Sequence, residues 1–215
     1  MGKRRASDRI RTSSNIGRPT CYGCCRPRSH CVCKLVEPFE AHCRILILQH
    51  PHERRKYHST TRILRAALSN CRLLRGIIFD ESLLTDELAG QSAFLLFPTK
   101  SAQDCRTITL SVNSTVVVID GTWEEARKIV FRNPILHTLP QITFSDSVHS
   151  NYRIRKQPRD NYLSTLESIT HLLKVNAESD GNSAFSARYD QLTHGFNQMV
   201  EQQLRYFPRH ALDAC

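Results

Sequence analysis

The sequence predicts an α/β domain behind a small cysteine-rich module, and three observations carry that prediction. The run V-V-V-I at 116–119 passes through Asp120-Gly121-Thr122-Trp123 into the helical pattern E-E-A-R-K-I-V. Unbroken β-branched residues suit a strand covered on both faces. Shorter apolar runs recur at 43–49, 73–79 and 93–97, with helical patterns at 59–70, 165–173 and 184–206. Ahead of all of these stands Cys21-x2-Cys24-x6-Cys31-x-Cys33. The chain thus divides into a basic flexible tail (1–18), a zinc-binding module (19–38) and a main domain (39–215).

In the module, four thiolates within thirteen residues can close a tetrahedral zinc site, and Gly23 and Pro27 suit its tight turns. Cys25 stands beside Cys24 and competes with it as ligand, and His30 is a further donor. Buried or redox-active free thiols are the alternative. Cys43, Cys71, Cys105 and Cys215 are scattered, the first three in or beside apolar stretches, and read as interior thiols.

The strand at 43–49 runs into H-P-H-E-R-R-K-Y-H, after which Ser59 or Thr60 can cap a helix through about Asn70. Ile63, Leu64, Ala67 and Leu68 form its apolar side, with Arg62 and Arg65 turned away. Basic and hydroxyl residues between a strand end and a helix start can hold a phosphate. His50, His52 and His58 share no helical or strand face, so no metal is expected there.

Two more strands, 73–79 and 93–97, are separated by an acidic loop at 80–91, and Pro98 halts the second. At the D-G-T-W junction Gly121 permits a sharp turn, and Thr122 with Glu125 three residues on forms a capping box. Ligands bind beyond strand ends in open α/β sheets, so Asp120 and Trp123 are candidate site residues. A turn residue and a core aromatic are the plainer roles. Pro134 ends this helix, and a short strand at 142–145 leads to N-Y-R-I-R-K, where alternation puts Arg153 and Arg155 on one face. Phosphate contact suits that pair; protection of a sheet edge is the alternative. Ser164 and Glu167 form a second capping box, before Leu166, Ile169, Leu172 and Leu173.

Charge is uneven. Lys and Arg number 17 against 4 Asp and Glu over 1–75, 2 against 6 over 76–121, 7 against 3 over 122–159, and 4 against 7 over 160–215. A basic excess beside a candidate site is the footprint expected for a polyanion, and Arg54, Arg55, Lys56, Arg62, Arg127, Lys128, Arg153, Arg155 and Lys156 are the candidate RNA contacts. The segment 1–34 has 9 basic residues against Asp8; it stays positive even with a net −2 zinc tetrathiolate and could hold RNA. No G-x-G-x-x-G and no Walker loop is present, which argues against a standard Rossmann methyltransferase and against NTP hydrolysis. No apolar run approaches a membrane span, and no secretory signal opens the chain, so a cytoplasmic protein is expected. The oligomeric state is left open by the sequence, with a monomer favoured over an oligomer.

Five segments in order resemble the DTW-domain family: the cysteine cluster 21–33, L-L-F-P-T at 95–99, D-G-T-W-E-E-A-R-K at 120–128, S-N-Y-R-I-R at 150–155 and Y-L-S-T-L-E at 162–167. The resemblance implies a tRNA-uridine aminocarboxypropyltransferase acting on tRNA with S-adenosylmethionine as donor. It implies a SPOUT-like, knotted α/β domain, which composition and periodicity do not show. It places Phe97, Pro98, Thr99, Asp120, Gly121, Leu163, Ser164, Thr165 and Glu167 around the donor. Asp120, Thr122 and Trp123 are then the catalytic candidates. Asp120 serves either as general base or as ligand of the donor's amino group, Glu167 is the lesser candidate base, and Trp123 stacks on the base or lines the pocket. A methyltransferase of the same fold and a nonenzymatic RNA-binding module remain as rivals; DNA is not an expected partner.

Overall fold

The computed structural model describes residues 19–22, 24, 26–33, 35–55, 59–144, 150–152 and 163–205. In chain order its principal elements are β1 (Arg44–Gln49), α1 (Thr61–Ala67), β2 (Cys71–Arg75), α2 (Glu81–Leu88), β3 (Ser92–Leu96), β4 (Gln103–Asp104), β5 (Ser114–Asp120), α3 (Trp123–Arg132), α4 (Ile135–Thr138), β6 (Gln141–Thr143), α5 (Thr165–Ser179) and α6 (Ser183–Leu204). The strands form one six-stranded sheet in the order β2-β1-β5-β3-β6-β4, and every pairing is parallel.

Strand alternation sends side chains to two cores. Ile45, Ile47, Val116 and Val118 face α1, α5 and α6, whose Leu64, Ile169, Leu173 and Phe196 are buried with them. Leu46, Leu48, Leu95 and Val117 face α2 and α3 through Leu84, Ile129 and Val130. Burial on both sides is why these strands read as continuous apolar runs, and each such side chain contributes roughly 1.5–3 kcal/mol.

Several local expectations change. The stretch 80–91 is not a loop: the Asp80 side chain accepts from Leu83 N and caps α2, whose Leu84 and Leu88 are buried. Those apolar residues lie one turn apart inside an acidic stretch, which hid the helix. The strand expected at 73–79 runs from Cys71 to Arg75. Neither Ser59 nor Thr60 caps α1 through its side chain; Thr60 has helical φ and ψ, and Ser59 Oγ instead meets Thr61 Oγ1 at 2.8 Å. That helix stops at Ala67 because Leu68 turns extended to bridge Phe39. Asn70 is taken by Ala41 and Cys43, donating to both carbonyls at 2.8 and 3.1 Å. The short α4 and the two-residue β4 had no sequence signal. Among the described residues no helix is long and apolar enough to cross a membrane.

The cysteine segment rests on α6, with Cys24 and Val32 buried in the core it shares with that helix. At Gly195 of α6 an added Cβ would stand 2.6 Å from Val36 Cγ2 and 2.9 Å from the Leu35 carbonyl oxygen. Only a residue without a side chain permits this approach. Gly195→Ala, which gains about 1 kcal/mol in an ordinary helix, is expected here to destabilise the protein by about 1–3 kcal/mol, read as a lower urea midpoint.

A second buried contact joins α5, α6 and the start of β1. His42 Nδ1 meets the Tyr189 hydroxyl at 2.7 Å and its Nε2 meets Asn176 Oδ1 at 3.2 Å. Burial holds the His42 pKa below its ordinary 6.5, although Asn176 opposes the shift. The unfolded chain therefore takes up this proton first as pH falls, so the contribution is intact above about pH 6.5 and is lost below it. Between pH 7.5 and 5.5 the urea midpoint should fall further for the wild type than for His42→Gln.

Candidate active site

The connection from β1 leads through α1 to β2 on one side, whereas that from β5 leads through α3 and α4 to β6 on the other. Adjacent strands whose chains depart in opposite directions leave a crevice beyond their carboxyl ends, where α/β proteins bind ligands. The register brings the last residues of the two strands, Gln49 and Asp120, side by side at this point.

Asp120 is only 7% exposed, and both its oxygens are engaged. Oδ2 accepts from Gln49 Nε2 at 2.9 Å, and Oδ1 accepts from the hydroxyl of Thr165 at the start of α5. Gln49 is itself held, accepting from Arg75 Nε at 3.0 Å and donating to Thr61 Oγ1 at 3.0 Å. A buried carboxylate whose oxygens only accept is matched to this set of donors. The Asp120 carbonyl accepts from His50 N at 2.8 Å, fixing the start of the next loop.

The capping box expected at Thr122 is present: Glu125 N donates to Thr122 Oγ1 at 3.3 Å and Thr122 N donates to Glu125 Oε2 at 2.8 Å. Gly121 serves close approach and not a left-handed turn. Its φ is not among the positive ones, but a Cβ there would lie 3.1 Å from Glu125 Cβ and 3.4 Å from His50 Cβ. Trp123 follows, 39% exposed, with its ring 6.2 Å from that of Phe97. Phe97 continues from β3, anchored by its N–H on the Ile142 carbonyl at 3.1 Å. Pro98 and Thr99 are exposed beyond it.

The second capping box, Ser164 with Glu167, is also formed. The Glu167 carboxylate accepts from Ser164 N at 2.8 Å, from Asn151 N at 2.7 Å and from Ser150 Oγ at 2.9 Å. It thereby ties the S-N-Y segment to the start of α5, with Leu163, Ser164 and Thr165 half-buried beside it. The structure thus brings Asp120, Gly121, Thr122, Trp123 and Phe97 together with the start of α5. Gln49, Thr61 and Arg75 join them without having been singled out; the polar residue closing R-I-L-I-L-Q, like the one closing V-V-V-I-D, was the available signal.

Of the candidate RNA contacts, Arg54, Arg127 and Lys128 are exposed, and half-buried Arg62 donates to the Arg54 carbonyl at 2.8 Å. Arg55 ends a short 3-10 turn, Pro51–Arg55. Lys56, Arg153, Arg155 and Lys156 lie outside the described residues. His50 and His52, set aside on spacing, do converge with a third donor, Glu125, whose ligand atom lies within 4.8 Å of theirs.

The thiols of Cys21, Cys24, Cys31 and Cys33 gather in one cluster that could hold a metal. The Cys21–Cys33 and Cys24–Cys31 sulfur pairs are 3.8 and 3.9 Å apart. Tetrahedral zinc with bonds of about 2.3 Å spaces its sulfurs by about 3.8 Å, so the donor set fits. Without a cation, burial foremost and then the neighbouring thiols push Cys33 up to about 12. Cys25, the rival of Cys24, lies outside the described residues. Cys43 and Cys105 are buried free thiols, and burial raises Cys43, Cys71 and Cys105 to about 12, 12 and 11.

Polar side chains gathered beyond the strand ends of a parallel sheet, with an aromatic pair beside them, form the candidate site of an α/β domain. The DTW domain matches residues 18–204, and the chain belongs to that family. Proteins named tRNA-uridine aminocarboxypropyltransferase 2 are similar to it. The Macaca fascicularis protein is 29% identical over 91% of this chain and 69% of its own. The Mus musculus protein is 32% identical over 74% of this chain and 56% of its own. The Drosophila melanogaster protein is 34% identical over 74% of this chain and 66% of its own. A solved structure titled "Crystal structure of an hypothetical protein" covers 68% of this chain and 82% of its own with a TM-score of 0.27 and 11% identity, too low to carry a fold.

Gln49→Leu preserves shape but leaves Asp120 Oδ2 and Arg75 without this partner. It should cost about 1–3 kcal/mol, the penalty of an unmet buried polar group, as measured by chemical denaturation.

Proposed function

We propose that this protein is a tRNA-uridine aminocarboxypropyltransferase, moving the 3-amino-3-carboxypropyl group of S-adenosylmethionine to N3 of a tRNA uridine. The observation that carries the reading is the doubly braced Asp120 carboxylate at the switch point of a DTW-family chain whose relatives bear that name. Phe97, Pro98, Thr99 and Gly121 at the strand ends, with Leu163, Ser164, Thr165 and Glu167 at the start of α5, form the donor's surroundings. The domain is SPOUT-like and knotted, spans 39–215, and follows the 1–18 tail and the 19–38 module, whose four cysteines hold structural zinc. The protein works in the cytoplasm.

In the reaction the uridine N3 attacks the methylene carbon bonded to the sulfonium. The new N–C bond forms as the C–S bond breaks, its electron pair stays on sulfur, and methylthioadenosine leaves neutral. The imide proton passes to Asp120 or to water, and general-base help of this kind contributes about 10²–10⁴-fold. A carboxylate is a weak base for an imide proton, so the Gln49 and Thr165 braces matter by fixing its position. Trp123, half-exposed beside Phe97, offers the unpaired uridine a stacking face. Arg54, Arg62, Arg127 and Lys128, with Arg55, Lys56, Arg153, Arg155 and Lys156, meet tRNA phosphates and lend affinity that falls with salt.

The test incubates unmodified tRNA with the protein and S-adenosylmethionine and weighs the nucleosides. A uridine heavier by the aminocarboxypropyl group, together with methylthioadenosine, is expected, and Asp120→Ala should slow turnover at least about 100-fold while remaining folded. S-adenosylhomocysteine as coproduct would make the protein a methyltransferase. Binding without a mass change would make it an RNA-binding module, and normal turnover by Asp120→Ala would remove the role given to that residue.

A further inference from the structure

We propose that His50, His52 and Glu125 form a second metal site, separate from the cysteine cluster, that takes a divalent transition ion of the zinc class. The Nδ1 atoms of both histidines lie 3.0 Å from the same oxygen, Oε1 of Glu125. Zinc bound to nitrogen and oxygen at about 2.0–2.2 Å spaces tetrahedral ligands by about 3.3 Å, so an ion fits among these atoms with small movements of their side chains.

The donors are aimed before any ion arrives. Oε2 of Glu125 is occupied by Thr122 N in the capping box, which turns Oε1 toward the histidines. His50 is held by its N–H on the Asp120 carbonyl, and its own carbonyl accepts from Glu53 N at 3.0 Å. Its Nδ1 also accepts from His52 N at 3.4 Å. An imidazole nitrogen has a single lone pair, so an ion on His50 Nδ1 takes the place of that long contact. Each Nδ1 reaches Oε1 through a ring proton, and a metal ion bound by all three groups replaces those protons.

The exposure of the ligands sets the kind of site. The side chains of His50 and Glu125 are 4% and 17% exposed, whereas that of His52 is 78% exposed. One side of the cluster is therefore open, and three protein ligands leave a coordination position for water or another oxygen donor, unlike the closed four-thiolate cluster. Gly121, packed against both Glu125 and His50, puts this position next to the carboxyl end of β5. A clamp from the loop after β1 to the first turn of α3 follows, whatever reaction the neighbouring crevice performs.

The full chain, stripped of metal under reducing conditions and reloaded with zinc or cobalt(II), should bind two equivalents per chain by elemental analysis. His52→Ala, which alters an exposed side chain, should bind one. Glu125→Gln, which retains a capping-box residue, should also lose the second equivalent. Cobalt(II) separates the two sites, because only the thiolate cluster gives sulfur-to-metal charge-transfer absorption; that band should persist unchanged in both variants. Equal uptake by wild type and His52→Ala, or a single equivalent in the wild type that carries the sulfur-to-metal band, would leave only histidine–carboxylate ion pairs and overturn the proposal.

Discussion

Gln49 and Asp120 close two parallel strands that are apolar along most of their length, and the hydrogen bond between their side chains is where the interior gives way to chemistry. It forms only because β1 and β5 are in register and because their chains then leave in opposite directions. Everything else at the site is positioned from this pair. Thr165 brings α5 to the other oxygen of the carboxylate, and the Asp120 carbonyl sets the loop carrying His50 and His52. Arg75 reaches in from β2 to steady Gln49. A shift of one residue in either strand would turn that strand's polar side chain to the opposite face and part the pair.

The two capping boxes share a logic. Each uses a glutamate at the third helical position to satisfy its own helix start, and each glutamate also gathers a neighbouring segment: Glu125 the histidine loop, Glu167 the S-N-Y segment. In Glu125 the net effect of these contacts is a depressed pKa; burial, the largest single influence, works the other way and is outweighed by the Thr122 amide and the histidines. The carboxylates are therefore joints between elements as much as caps.

How much was legible in the sequence follows from the range of the physics involved. Local features read correctly: the V-V-V-I strand, both capping boxes, the long closing helix and the cysteine spacing depend on neighbours within a turn or a strand. Features built by pairing did not. The α2 helix was lost because its buried Leu84 and Leu88 are surrounded by acidic residues. Gln49 gains its meaning only when β5 lies beside β1. The histidines looked unpatterned because their third partner arrives from a helix more than seventy residues later. Gly121 was read through its own backbone freedom, whereas its reason is the bulk of Glu125 and His50 pressed against it.

Gly195 carries a lesson about how such a chain can change over time. A helix that surrenders a side chain near its middle to admit Val36 and the Leu35 carbonyl has been shaped around one particular neighbour. Deleting the cysteine segment would leave a bare notch in α6, and filling the notch first would evict the segment. Neither order of events passes through a well-packed intermediate, so these two stretches, distant in sequence, are packed for one another. A chimaera that replaces one of them in this chain is expected to pack well only if it replaces the other with it.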